Sequence, residues 1–156
     1  MFLHEIFPPE LIKIGLEADD KDEVFEEMVD IFCQAVNSNI RQEILDAIVE
    51  RESKMSTGIH KGIAVPHGKT NALENIHGIL GISRKGIDYD ALDGQPVYIL
   101  FMLLAPQTDS ELHLRLLKRL AGLLDNPKFY AELLEQTDSQ GAHRIIKKYE
   151  ELFIAS

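Results

Sequence analysis

Six histidines are spread along this chain, His4, His60, His67, His77, His113 and His143, and the backbone around one of them is specialised. The run Gly62-Ile63-Ala64-Val65-Pro66-His67-Gly68 sets an apolar strand against a proline, with an imidazole on the bend and a glycine after it. Proline lacks a ladder donor and fixes its own φ, and glycine permits a tight exit. The chain is therefore expected to leave the sheet edge within about one residue of His67. A side chain set there is aimed outward and is free to react.

His113 is the second histidine with a distinctive setting. At about 100° per residue it shares a helical face with Leu116, Leu117, Leu120, Leu123 and Leu124, while Arg115, Lys118 and Arg119 project away. It fits a core histidine satisfied by a carbonyl. It also fits an anion site, because it lies near the start of its helix, just beyond the apolar run that ends at Pro106. His4 carries no functional sign, and His143, beside Arg144 on the last helix, reads as a solvated side chain.

Two imidazoles that converge suit either metal ligation or nucleophilic chemistry at phosphorus. Ligation favours a close pair such as H-x-x-x-H with a carboxylate, and His60, His67 and His77 are spaced by seven and ten residues. Attack on phosphorus needs one neutral ring nitrogen and neighbouring donors for the phosphoryl oxygens. A guanidinium serves that purpose, and Arg51, at the end of a helix, is the candidate; it equally fits a solvated charge complementing the helix dipole. Ser56 and Thr57 can offer hydroxyls to an anion or cap the local turn.

The elements needed to place these residues are readable from periodicity. Leu11 to Ile14 reads as an edge strand, and Asp19 or Asp20 as the cap of a helix in which Val24, Phe25, Met28, Ile31, Phe32 and Ala35 recur at helical spacing. A second helix from Ile40 to about Glu52 turns Ile44, Leu45, Ile48 and Val49 inward and Glu43, Asp46 and Glu50 to water. A polar loop, residues 53–62, leads to the strand Ile63 to Val65. Further strands are expected over Gly78 to Ser83 and, briefly, from Gly86 before the Asp93-Gly94 turn. The almost wholly apolar run Val97 to Ala105 reads as the central strand. Helices follow over 110–124, 128–135 and 139–153. Uneven crossovers predict an α/β fold with a mixed sheet flanked by helices on both faces, in a single domain spanning 1–156.

Composition narrows the function. The 156 residues are 45% hydrophobic, enough for one substantial core, and 26 acidic against 16 basic side chains give a net charge of −10. With no basic block, nucleic acid and anionic membrane surfaces are unsuited partners, and a basic protein patch suits better. Cys33 is the only cysteine, which rules out a thiol-built zinc site or disulfide framework and reads as a small buried hydrophobe. No signal-like N-terminus or apolar run of about 18 residues occurs, so the expectation is a soluble, cytoplasmic protein without membrane insertion.

Several blocks in register resemble a known family. Arg51-Glu52, Ser56-Thr57-Gly58-Ile59, Gly62 to Lys69, Ile87 to Val97, Leu100 to Pro106 and His113-Leu114 are together similar to the IIA component of the bacterial phosphoenolpyruvate-dependent sugar phosphotransferase system. The class is the fructose/mannitol one, which includes nitrogen-regulatory IIA proteins. The resemblance covers nearly the whole chain. It implies a protein-histidine phosphotransferase in which His67 accepts a phosphoryl group from the small carrier HPr, or a nitrogen-branch counterpart, and passes it to a IIB partner in sugar uptake. The alternative it implies is a nitrogen-regulatory switch with no sugar acceptor. His113 matches the histidine that stabilises the phosphohistidine, and Arg51 the arginine that holds phosphate. No cofactor and no metal are implied. The sugar, if any, and homo-oligomer formation are left open. One departure is His60, where relatives often carry glycine; it reads as an exposed bystander. An apolar ring of Ile59, Ile63 and Val65 is expected around His67, with Lys69 lending positive potential.

Overall fold

The computed structural model describes residues 1–156, the side chain of His60 excepted, so the reading of that imidazole as a bystander lies outside the described residues. A short helix α1 (Leu3–Ile6) and a 3-10 turn (Pro9–Leu11) precede strand β1 (Ile12–Ile14) and helices α2 (Lys21–Ala35) and α3 (Arg41–Lys54). Strands β2 (Gly58–His60), β3 (Ile63–Ala64), β4 (His67–Lys69), β5 (His77–Ile87) and β6 (Val97–Ala105) follow. Helices α4 (Ser110–Leu124), α5 (Pro127–Glu135) and α6 (Ser139–Ala155) end the chain.

The sheet is open and mixed. β1 runs parallel to β5, β5 antiparallel to β6, and β6 parallel to both β3 and β4, while β2 pairs antiparallel with β3 alone. β6 is central, and eight of its nine residues are buried, as its unbroken apolar run predicts. Alternation along the strands divides the core between the two faces. Leu80, Ile82, Ile99, Phe101 and Leu103 meet α1, α4, α5 and α6. Ile79, Leu100, Met102 and Leu104 meet α2 and α3.

Local chemistry fixes the helix starts. Asp20 caps α2 by accepting from Glu23 N at 3.0 Å, Asn126 caps α5 ahead of Pro127, and Asp138 caps α6 through Gly141 N at 2.7 Å.

Several expectations are corrected. The chain does not leave the sheet at His67: after the interruption at Val65-Pro66 it resumes as β4. Ile63 lies opposite Ile99 and His67 opposite Leu103, so the register is unbroken. Pro66 removes one donor, but its carbonyl still accepts from Leu103 N at 2.9 Å, and the ladder continues. Gly68 is not an exit either. A Cβ there would stand 3.0–3.1 Å from Ala47, so glycine lets α3 lie directly on β4.

The two β stretches around residues 78–90 form one long strand, β5, with an irregularity between Ile82 and Ile87. Part of the loop 53–62 is helix and strand. Leu11 belongs to the 3-10 turn, Val49 is exposed, and Cys33 is half-buried. Among the described residues no helix is long and apolar enough to cross a membrane.

Candidate active site

His67 and Gly68 occupy successive β4 positions and so face opposite sides of the sheet. Gly68 faces α3, whereas His67 shares the face of α4 with its neighbour Leu103. Because β2 stops at β3, β4 has a strand on one side only. Arg51, three residues before the end of α3, reaches round that open edge from the other face. Its Nε donates to Nε2 of His67 at 3.2 Å, and its Nη1 donates to the carbonyl of Met55 at 3.0 Å.

The other ring nitrogen, Nδ1, lies 2.8 Å from the carbonyl of Val65. A carbonyl only accepts, so Nδ1 carries the proton. Nε2 therefore holds the lone pair that receives the Arg51 N–H. Both contacts select the same neutral tautomer. Burial holds the His67 pKa below the usual histidine value; the Val65 carbonyl opposes that shift, and the Arg51 and Lys69 charges reinforce it.

His113 stands in the first turns of α4, its ring centroid 5.7 Å from that of His67 at an interplanar angle of 70°. It is only 2% exposed, and its Nε2 is buried with no hydrogen-bond partner among the described residues. Of the two readings open for this residue, the satisfied core histidine does not describe that nitrogen. Burial, with smaller contributions from His67 and Lys69, pushes its pKa down to about 4, so the ring is neutral at physiological pH. A neutral imidazole with an unpartnered buried nitrogen is free to donate to an acceptor in the tautomer that puts the proton there.

Two cavities meet at His67 and Arg51. A polar cleft of about 360 Å³ is lined by His67, His113, Arg51, Lys54, Lys69 and Gln107 among others. An apolar groove of about 220 Å³ runs along Ile59, Val65, Leu117, Leu120 and Leu124 and reaches the same His67 and Arg51. Ile59 and Val65 thus adjoin the site as expected. Ile63 does not; it is buried in the core beneath. Lys69 donates to Ser110 Oγ at 2.9 Å, tying β4 to the start of α4.

Thr57 and Ser56 take the capping alternative. Thr57 is buried, donates through its hydroxyl to Glu52 Oε1 at 2.6 Å and through its backbone N–H to Oε2 at 2.9 Å. Ser56 Oγ accepts from Gly58 N at 3.1 Å. His143 is not a solvated side chain: its Nε2 donates to the His4 carbonyl at 2.8 Å. His4 in turn meets the fully buried Glu150 at 2.8 Å, which fastens α1 to α6. His77 packs on Phe32, away from the pair, with ring centroids 4.9 Å apart. Glu52, part of the Arg51-Glu52 block, is the residue to which the sequence alone assigned no role. The signal was present, since Ile44, Ile48 and Glu52 recur every four residues and share the buried stripe of α3.

Comparison with known proteins matches residues 5–149 to the family described as "Phosphoenolpyruvate-dependent sugar phosphotransferase system, EIIA 2". A fructose-specific EIIABC component of Bacillus subtilis is 37% identical over 150 residues, which are 96% of this chain and 24% of that protein. The chain thus spans about a quarter of that relative. A fructose-specific EIIA component of Haloferax volcanii is 34% identical and is matched over 90% of this chain and 92% of its own length. The crystal structure of nitrogen regulatory protein IIA-Ntr from Neisseria meningitidis superposes with a TM-score of 0.85 at 28% identity, covering 92% of this chain and 98% of that one.

Proposed function

Because the chain belongs to the EIIA 2 family of the phosphoenolpyruvate-dependent sugar phosphotransferase system, we propose that it is a phosphoryl carrier whose acceptor atom is Nε2 of His67. The observation that carries this reading is the fixed tautomer: the Val65 carbonyl holds the proton on Nδ1 and leaves the lone pair on the opposite nitrogen, at the open edge of β4.

Acceptance forms a bond from Nε2 to phosphorus as the P–N bond of a phosphohistidine on an HPr-like donor breaks. The electron pair of that bond returns to the donor ring. His67 keeps its Nδ1 proton throughout, so the phosphorylated ring is cationic and remains a good leaving group. Transfer to an acceptor side chain of a IIB partner reverses the step and restores the neutral ring. The site must hold the phosphoryl oxygens without making the bond inert. Arg51 has already placed an N–H at the point of attack and swings by one bond onto an equatorial oxygen. His113 Nε2 takes another once it bears the proton. Lys54 and Lys69 line the same cleft and offset the incoming charge. The apolar groove on the far side excludes water when a partner covers it.

The test is transfer from phosphorylated HPr. The chain should acquire one acid-labile phosphoryl group, and His67→Ala should acquire none; full labelling of that variant rejects the assignment. The kinship with a nitrogen regulatory protein favours a second use of the same chemistry, in which phosphorylation changes which regulatory partner is bound. Transfer onward to a IIB acceptor distinguishes the relay from the switch.

A further inference from the structure

We propose that Glu52, which touches neither the acceptor nitrogen nor the phosphoryl group, is the positioning residue that sets both the tautomer of His67 and the reach of Arg51. The inference rests on His67 being the phosphoryl acceptor, and its test includes a measurement that does not.

Glu52 is 8% exposed and is surrounded by groups that can donate to it. Oε2 accepts from Thr57 N at 2.9 Å and pairs with Lys21 Nζ at 3.0 Å. Oε1 accepts from Thr57 Oγ1 at 2.6 Å and lies 3.3 Å from the hydroxyl of Tyr89. The Thr57 hydroxyl has one proton and spends it on the carboxylate, so Tyr89 donates to Thr57 Oγ1 across their 2.8 Å contact. The donors come from three places in the chain, the start of α2, the approach to β2 and the segment after β5, and converge on a carboxylate at the end of α3. A buried carboxylate is costly unless its lone pairs are met, and here both oxygens have a donor. Burial and the Glu52 charge raise the Tyr89 pKa, keeping that phenol a donor.

Two branches run from this carboxylate to the two nitrogens of His67. Along the first, Thr57 is fixed by both of its bonds to Glu52, its carbonyl accepts from Val65 N at 3.0 Å, and the Val65 carbonyl holds His67 Nδ1. Along the second, closing Glu52 onto Thr57 shapes the intervening turn, which presents the Met55 carbonyl that fixes Arg51 Nη1. One side chain thus links the groups on either side of the imidazole. The hydrogen bonds within each branch are short enough that a loosened carboxylate is transmitted to the ring as a change of position or tautomer.

Glu52→Gln keeps the shape but turns an NH2 group toward a site filled by donors. Thr57→Val keeps the β-branched packing and removes the hydroxyl, and Thr57→Ser restores it. Two readouts are taken on the intact chain. Nitrogen-15 NMR of the unphosphorylated protein should show His67 with its proton on Nδ1 in the wild type and in Thr57→Ser, and a mixture of tautomers in Glu52→Gln and Thr57→Val. With phosphorylated HPr as donor, the two disruptive variants should lose kcat by about tenfold or more with KM for the donor unchanged, and Thr57→Ser should recover most of it. If Glu52→Gln fails to fold, the Thr57 pair decides alone. If the wild type takes no phosphoryl group, the acceptor reading falls while the NMR comparison still judges the positioning role. A wild-type tautomer and wild-type kcat in folded Glu52→Gln or Thr57→Val overturn the inference.

Discussion

Arg51 Nε and His67 Nε2 stand 3.2 Å apart with the N–H of one on the lone pair of the other. Under the proposed phosphoryl transfer the guanidinium guards the acceptor nitrogen beforehand and is in place to follow the phosphoryl group afterwards. Arg51→Gln removes a charge-assisted donor from the transition state, and the loss expected in the rate of phosphoryl acceptance is about 10²-fold. Arg51→Lys should recover little of it, since an ammonium neither spans Met55 O and the phosphoryl oxygen together nor offers a planar fork. The variant also has a pH signature. The Arg51 charge helps hold the His67 pKa below its ordinary value, so its removal raises that pKa, and the acidic fall in acceptance rate should move to higher pH in Arg51→Gln. A rate–pH profile measured with the phosphorylated donor checks both.

His113 carries a stability cost that the proposed role would explain. Its pKa is about 4 in the folded protein, against 6.5 for an ordinary histidine. Between these values the unfolded chain binds the extra proton and the folded protein does not, so stability rises with pH across this window and is lost as pH falls from 6.5 toward 4. The contribution is on the order of 3 kcal/mol, and His67 and His77, also held low by burial, act in the same direction. His113→Leu removes an unsatisfied buried nitrogen and should raise stability at neutral pH by about 1 kcal/mol while flattening the pH dependence. The same variant should shorten the life of the phosphorylated protein. Urea unfolding at pH 7 and 5, with phosphate release followed separately, tests the trade.

The three residues of this site could be read from the chain because each sat in a marked local setting: a histidine after proline, a histidine on an apolar helix face, an arginine closing a helix. The meeting of His67 and His113 could be anticipated from a strand end and a helix start at one edge of the sheet, and that of Arg51 with them only from several motifs in register. What stayed illegible depends on partners distant in sequence. Pro66 reads as a strand end, yet β6 supplies a continuous ladder on which His67 keeps its register opposite Leu103. His143 reads as exposed because its own helix offers it no partner; the carbonyl it meets belongs to His4, at the other end of the chain. Thr57 looks available to an anion until Glu52, hidden by its charge on an otherwise apolar stripe, is seen to occupy it. Periodicity reports which way a side chain faces, and it cannot report what is already waiting there.

Gly68 links the packing of α3 to the chemistry proposed for His67. A methyl group at this position would press on the Ala47 backbone at 3.0–3.1 Å, and backbone yields less readily than a side-chain tip. Gly68→Ala should therefore displace α3 by a few tenths of an ångström, at a cost of about 1–2 kcal/mol in stability. The displacement reaches Arg51, one turn beyond Ala47 on the same helix. Acceptance of the phosphoryl group should slow by more than the stability loss explains at temperatures where the variant is fully folded. Comparing kcat with the folded fraction from circular dichroism separates the two effects.

The flanks of His67 divide docking from chemistry. Ile59 is 48% exposed on the lip of the apolar groove, whereas Lys69 lines the polar cleft. An apolar residue at the lip is worth most when a partner covers it and least to the isolated phosphorylated protein. Ile59→Ser should therefore raise KM for the phosphorylated donor by about tenfold, equivalent to roughly 1.4 kcal/mol, and leave the spontaneous hydrolysis of phosphorylated His67 unchanged. Lys69→Gln should do the reverse, shifting hydrolysis and kcat with a smaller effect on KM, because its charge acts on the two rings and on the phosphoryl oxygens. Steady-state transfer and single-protein hydrolysis, run on both variants, give KM, kcat and a hydrolysis rate for each. Parallel changes in KM and hydrolysis for either variant would mean that the groove and the cleft are not separate in function.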